Sequence, residues 1–162
     1  MIQVTLCFVF QGEPRHSLLL GYKKRGFAQG KVGGFGGKIQ AGESLPQAAA
    51  RELFEEAGIT ADPAELESLG VLTFIFPARP AWDQEVHVFV ARRWQGTPSE
   101  SDEMRPRWYP LSALPLEHMW DDTPTWMPHI LAGEYITARF TMNPDNETVG
   151  ESWLQVRQGS GA

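Results

Sequence analysis

Glu43, Arg51, Glu52, Glu55 and Glu56 crowd four carboxylates around one guanidinium within residues 43–56. Glu52 and Glu56 are four positions apart, and Glu52 and Glu55 three. On a helix both spacings put the side chains on one face. Like charges so placed repel by roughly 0.2–0.5 kcal/mol in an isolated helix. A hard divalent cation would offset that repulsion. Mg²⁺ takes oxygen ligands, usually a few carboxylates completed by water and substrate phosphates. The plainer reading is a solvated acidic helix on which Arg51 pairs locally.

The flanking residues supply the helix. Ser44 with Gln47 three positions on is a capping-box pattern, Pro46 fits the first turn, and Gly58 fits a left-handed stop. These signals predict a helix over 45–57. Leu45, Ala48, Ala49, Leu53 and Ala57 lie off the acidic face and can pack on a sheet. Ahead of it, Gly33, Gly34, Gly36 and Gly37 permit close backbone approach to a ligand. No Gly-Lys-Ser/Thr follows, so this is not a P-loop. Lys23, Lys24, Arg25 and Lys31 make the preceding loop basic: a solvated turn, or a phosphate clamp led by Lys23, which leaves a strand in a defined direction.

Residues 4–10 and 17–22 read as strands of a hairpin joined by turn residues 11–14. A loop from residue 60 with a helical turn near 64–65 precedes strands at 67–76 and 85–91. In the latter, Val86, Val88 and Val90 face one way, His87 and Phe89 the other. With no second histidine close by, His87 is expected to be a hydrogen-bonded strand residue. An acidic loop over 99–106 opens onto a strand at 107–109. A turn at 111–114, a helix at 124–131 and strands at 135–142 and 148–156 complete the pattern, with a loose tail after Arg157. The fold class is α+β.

The 162 residues suit a single domain, 1–162, able to bury about 70% of its unfolded surface. A net charge of −6 argues against duplex nucleic acid as partner. Cys7, the one cysteine, sits in an apolar run and is expected in the core. Residues 1–10 lack a basic leader and are too short to span a bilayer. No membrane association, a cytoplasmic location and a monomer are expected.

Gly37, Glu43 and the run Arg51-Glu52-Leu53-Phe54-Glu55-Glu56-Ala57-Gly58-Ile59 fill every fixed position of the Nudix box, so the chain resembles the Nudix hydrolases. The resemblance implies an α/β/α sandwich around a mixed sheet. It also implies a Mg²⁺-dependent hydrolase, with Mn²⁺ able to substitute, acting on a nucleoside diphosphate linked to another group. Glu52, Glu55, Glu56, the Gly37 carbonyl and Glu103 would hold the metal, Glu55 or Glu56 would serve as base, and Arg51 would orient the glutamates.

GYKKRGF (21–27), GFGGK (34–38), VHVF (86–89), QGTPSESDEMRP (95–106) and Met119-Trp120 further resemble the animal 8-oxo-dGTP diphosphatase branch. By that likeness the substrate is a nucleoside triphosphate with an oxidised purine. Trp120 would stack the base, Phe27, Phe74 and Met104 would wall it, Thr5 would floor it, and Lys23 would contact the substrate. Two departures touch the base site. Gly33 stands where the branch has an asparagine, and Trp120 runs directly into Asp121-Asp122 without the usual proline. An ungapped register places Asp122 and Thr123 at the aspartate pair; a local shift places Asp121 and Asp122 there. General dNTPs, 5′-triphosphorylated RNA, or a non-catalytic sensor role are the alternatives.

Overall fold

The computed structural model describes residues 1–157; the tail expected to be loose lies outside them. Eight strands form one mixed sheet: β1 (Ile2–Gln11), β2 (Ser17–Lys23), β3 (Val32–Gly33), β4 (Glu67–Ile75), β5 (Gln84–Ala91), β6 (Met104–Pro110), β7 (Tyr135–Met142) and β8 (Val149–Arg157). Their order is β3-β2-β1-β5-β4-β7-β8, with β6 on the other edge of β2. The pairs β1–β5 and β4–β7 are parallel, and the rest are antiparallel. Two helices cover the faces: α1 (Leu45–Ala57) and α2 (Thr123–Leu131).

Strand alternation makes two cores. Along β1, Cys7 and Val9 pack with Ala49, Leu53 and Ala57 of α1. Phe8 and Phe10 point the other way, toward Trp126, Met127 and Ile130 of α2. The layering is therefore α/β/α. Burial pushes the Cys7 thiol up to about 12, so it stays an inert core residue.

α1 ends where its signals say. Ser44 accepts from the Gln47 N–H while Gln47 reaches back to the Ser44 N–H, and Gly58 closes the helix at φ 73°. His87 is a strand residue whose ring lies 2.7 Å from Gln3. Two expectations change. Residues 104–106, read as loop, already belong to β6, because Met104 pairs with Lys23 on β2. Short 3₁₀ turns form at Pro80–Trp82 and Leu116–His118, where no helical signal was read.

The sheet opens between β1 and β2, which pair only through Val9, Phe10 and Gln11 of β1. The glycine-rich segment fills the opening. It exchanges Cys7 and Phe35 backbone bonds of 2.6 and 3.0 Å with β1, and the Thr5 N–H donates to the Gly37 carbonyl at 2.9 Å. A Cβ on Gly36 would lie 1.7 Å from the Thr5 carbonyl oxygen. Backbone cannot yield there as a flexible side chain would, so Gly36→Ala is expected to cost ~3 kcal/mol or more in urea denaturation. A loss below about 0.5 kcal/mol would show that the segment can step aside.

Candidate active site

Arg51 is the hub of the acidic face. Its Nε and Nη2 donate to both Glu43 carboxylate oxygens at 2.6 and 3.0 Å. Nη1 donates to Glu52 at 3.0 Å and Glu55 at 3.2 Å, and Nη2 also reaches the Lys38 carbonyl at 3.2 Å. These hydrogen bonds, Glu43's first, hold the guanidinium more firmly protonated than usual. Arg51 thereby ties α1 to the end of the glycine segment.

Glu52 and Glu56 turn toward that segment. A Cβ on Gly37 would come within 2.7 Å of a Glu52 carboxylate oxygen. Glu56 is only 4% exposed and accepts from the Gly36 N–H at 2.9 Å. Burial, then the neighbouring Glu52 charge, pushes the Glu56 carboxyl up to about 8. Burial also raises Glu52, against the pull of Arg51. Glu55 remains half-exposed. Glu103, one residue before β6, pairs with Lys23 at 3.2 Å across the cavity mouth. Beside it Lys24 pairs with Glu100, and the Lys24 N–H donates to the Glu103 carbonyl at 2.8 Å. Glu52, Glu55, Glu56, Glu103 and Gly37 thus border one cavity with Lys23. Among the described residues, no three of the His, Cys, Asp and Glu side chains converge into a ready-made metal cage.

The cavity has a volume of about 1190 Å³ and runs from these acids to an aromatic recess. Thr5, Phe27, Gly33, Phe74, Met104 and Trp120 all border it. Phe27 stacks on Trp120 with centroids 5.7 Å apart, and Lys31 Nζ lies 5.1 Å from the Trp120 ring centre. Nothing lies within 4 Å of a Cβ placed on Gly33, so the missing asparagine leaves open space.

The aspartates divide. Asp122 borders the cavity with Thr123 and is buried. Its Oδ2 accepts from Trp126 Nε1 at 2.7 Å. Its Oδ1, like Thr5 Oγ1, is buried without a hydrogen-bond partner among the described residues. Asp121 does not border the cavity; its carboxylate accepts from the Val149 N–H at 2.9 Å. Of the two aspartates, Asp122 lines the cavity with Thr123 beside it, and Asp121 is held against β8.

One wall escaped the sequence. Trp82, in the 3₁₀ turn at Pro80–Trp82, meets Phe27 edge-on at 5.0 Å and Phe76 at 5.7 Å. Arg79 covers its ring at 4.1 Å. A lone tryptophan shortly after two prolines was the available signal, but it carries no register from which to place it.

Residues 2–130 match the NUDIX domain, and the chain belongs to that family. It is a Nudix hydrolase. Among curated proteins it is 47% identical over 114 residues to the "Oxidized purine nucleoside triphosphate hydrolase" of Danio rerio, covering 70% of this chain and 71% of that one. The Mus musculus protein of the same name is 40% identical over 152 residues, 94% of each chain. Among solved structures, the MutT protein of Bacillus halodurans superposes with a TM-score of 0.80 at 26% identity, covering 96% of this chain and 98% of that one.

Burial, the largest influence on Asp122, pushes its carboxyl from 3.8 to about 6. The folded chain thus holds this proton more tightly than the unfolded chain. Its stabilising effect is complete below pH ~4 and is lost as pH rises through about 6, by up to ~3 kcal/mol. In metal-free urea denaturation, the stability of wild type relative to Asp122→Asn should fall by one to a few kcal/mol (~1–3) between pH ~4.5 and pH ~7.5. A pH-independent difference would reject the buried titration.

Proposed function

We propose that this hydrolase removes oxidised purine nucleoside triphosphates such as 8-oxo-dGTP, giving the monophosphate and pyrophosphate. One observation carries the reading: the buried, partnerless Asp122 Oδ1 shares a cavity with the Trp120 ring and the α1 carboxylates. That cavity offers a stacking face, a group to read a base edge and a metal-type acidic wall in sequence. The two animal relatives carry the same substrate in their names.

The residues fit a divalent cation. The donors are oxygens, the type Mg²⁺ takes. Gly37 leaves the Glu52 carboxylate space that any side chain there would fill. The Gly37 carbonyl accepts one bond from Thr5 and keeps its second lone pair. Glu52, Glu55, Glu56 and Glu103 would hold Mg²⁺, or Mn²⁺ in its place. When bound, such an ion neutralises phosphate charge and lowers the pKa of water.

The chain's own groups do the rest. Arg51 holds Glu52 and Glu55 in position as a partner behind the ligands. Glu55 or Glu56 is the proton acceptor: Glu56 is buried against the Gly36 N–H, and Glu55 is half-exposed and bonded to Arg51. Lys23 is set to exchange Glu103 for a phosphate oxygen, which frees that carboxylate. Trp120 supplies stacking worth roughly 1–3 kcal/mol per base. The work is that of a monomeric, cytoplasmic enzyme acting on small nucleotides.

Glu56→Gln should lower kcat by about 10²–10⁴-fold with the fold intact by circular dichroism. Mg²⁺ binding near pH 7 should also release a proton from Glu56, because ligation needs the carboxylate. Calorimetry in buffers of different ionisation enthalpy counts the protons released; the number should fall in Glu56→Gln, leaving what Glu52 contributes. An unchanged number would remove Glu56 from the site. For substrate choice, 8-oxo-dGTP, the four dNTPs and triphosphorylated RNA compared at equal concentration should rank the oxidised purine first by kcat/KM. Equal turnover of all dNTPs would replace this reading with a general dNTP hydrolase, in keeping with the open space at Gly33. Tight binding without release of phosphate or pyrophosphate from any of them would indicate a sensor.

A further inference from the structure

At the other end of β1 a second cleft, of about 600 Å³, opens beside the β1–β2 turn. It shares no lining residue with the catalytic cavity. Gln11 lies six positions along β1 from Thr5, a span of about 20 Å. Its charged lining is Arg15, Arg92 and Arg93 against a single carboxylate, Glu13.

Arg15 is fixed in place but unfinished. Its guanidinium lies 4.5 Å over the Phe10 ring, and Nη2 donates to the Leu131 carbonyl at 3.2 Å. Nη1 is buried and has no hydrogen-bond partner among the described residues. A buried donor left unmade is unfavourable, and more so when charged. Arg92 and Arg93 each bond a carboxylate behind the cleft, Glu67 at 3.0 Å and Glu65 at 3.2 Å, and still face the opening. Burial, then the Arg92 charge, presses the Arg15 pKa down. An anion beside Nη1 would answer the unmet donor and offset the Arg15–Arg92 repulsion. Glu13, Glu65 and Glu67 bring the surroundings of the three arginines close to charge balance, so the unmet donor is what calls for a further anion.

We infer that this cleft, formed by Arg15, Arg92 and Arg93 with Phe10 and Trp94 as walls, is a second binding site for a phosphate group, separate from the catalytic cavity. Guanidinium forks suit phosphate because two parallel N–H donors match two of its oxygens. The group arrives either as free phosphate or as the phosphate of a nucleotide, which would also use the Trp94 wall.

The Trp94 indole N–H, which donates to the Phe10 carbonyl at 2.9 Å, is a reporter inside the cleft. The full-length protein is titrated with inorganic phosphate, and separately with AMP, at constant ionic strength, following the assigned indole signals by ¹H–¹⁵N NMR. The Trp94 signal should shift saturably, and binding should weaken at least about tenfold in Arg15→Ala and in Arg92→Ala, each checked for native spectral dispersion. Tighter phosphate identifies the free ion; tighter AMP identifies the ester. A Trp94 signal that ignores both probes, or that saturates equally in both variants, overturns the site. Hydrolysis by Arg15→Ala should stay near wild type, so this inference and the proposed reaction stand or fall by different measurements.

Discussion

The structure depends on a stretch of backbone lying closer to its neighbours than a side chain permits. Residues 34–37 run against β1 on one side and α1 on the other, and Gly36 has no room for even one carbon beside the Thr5 carbonyl. This closeness lets a main-chain N–H reach Glu56, lets Glu52 lie against Gly37, and brings the Lys38 carbonyl to Arg51. A wider segment would part α1 from the sheet opening and scatter the carboxylates. Packing of Ala49, Leu53 and Ala57 on β1 sets the distance between helix and strand, and the glycines accept it.

Electrostatics is the counterweight. Carboxylates on one helix face, partly withdrawn from water, would be unfavourable without a cation. Arg51 offsets much of this by bonding Glu43, Glu52 and Glu55 together. Glu56 lies beyond its reach, and its raised pKa is the residue of the unmet cost. The helix is thus neutralised where it meets the loop and left demanding a positive charge where it meets the cavity. That asymmetry distinguishes the cavity side of α1 from a solvated acidic face.

Local signals carried far in this chain. The Ser44–Gln47 cap and Gly58 fixed both ends of α1 because such interactions span a few residues. The box residues identified the acidic wall for the same reason. Nonlocal features were less legible. Glu56 has the spacing of an exposed acid, yet it is buried and accepts from the Gly36 N–H, a partner distant in sequence. Met104 reads as loop until its pairing with Lys23 is known. Arg15 and Arg92 are 77 positions apart, and nothing in a linear pattern brings them together.

The neighbouring aspartates illustrate how a distant strand can orient a side chain. Asp121 and Asp122 are neighbours that face different ways: the Val149 N–H of β8 donates to the Asp121 carboxylate, and Asp122 lines the cavity with Thr123. The recess then holds one carboxyl and one hydroxyl rather than two carboxyls. A carboxyl that titrates near 6 accepts when ionised and can donate when protonated, while the threonine hydroxyl can do either. Such a pair can meet either a donor or an acceptor. Trp120, Phe27 and Trp82 shape the cavity beside this pair, and a Cβ on Gly33 would meet open space.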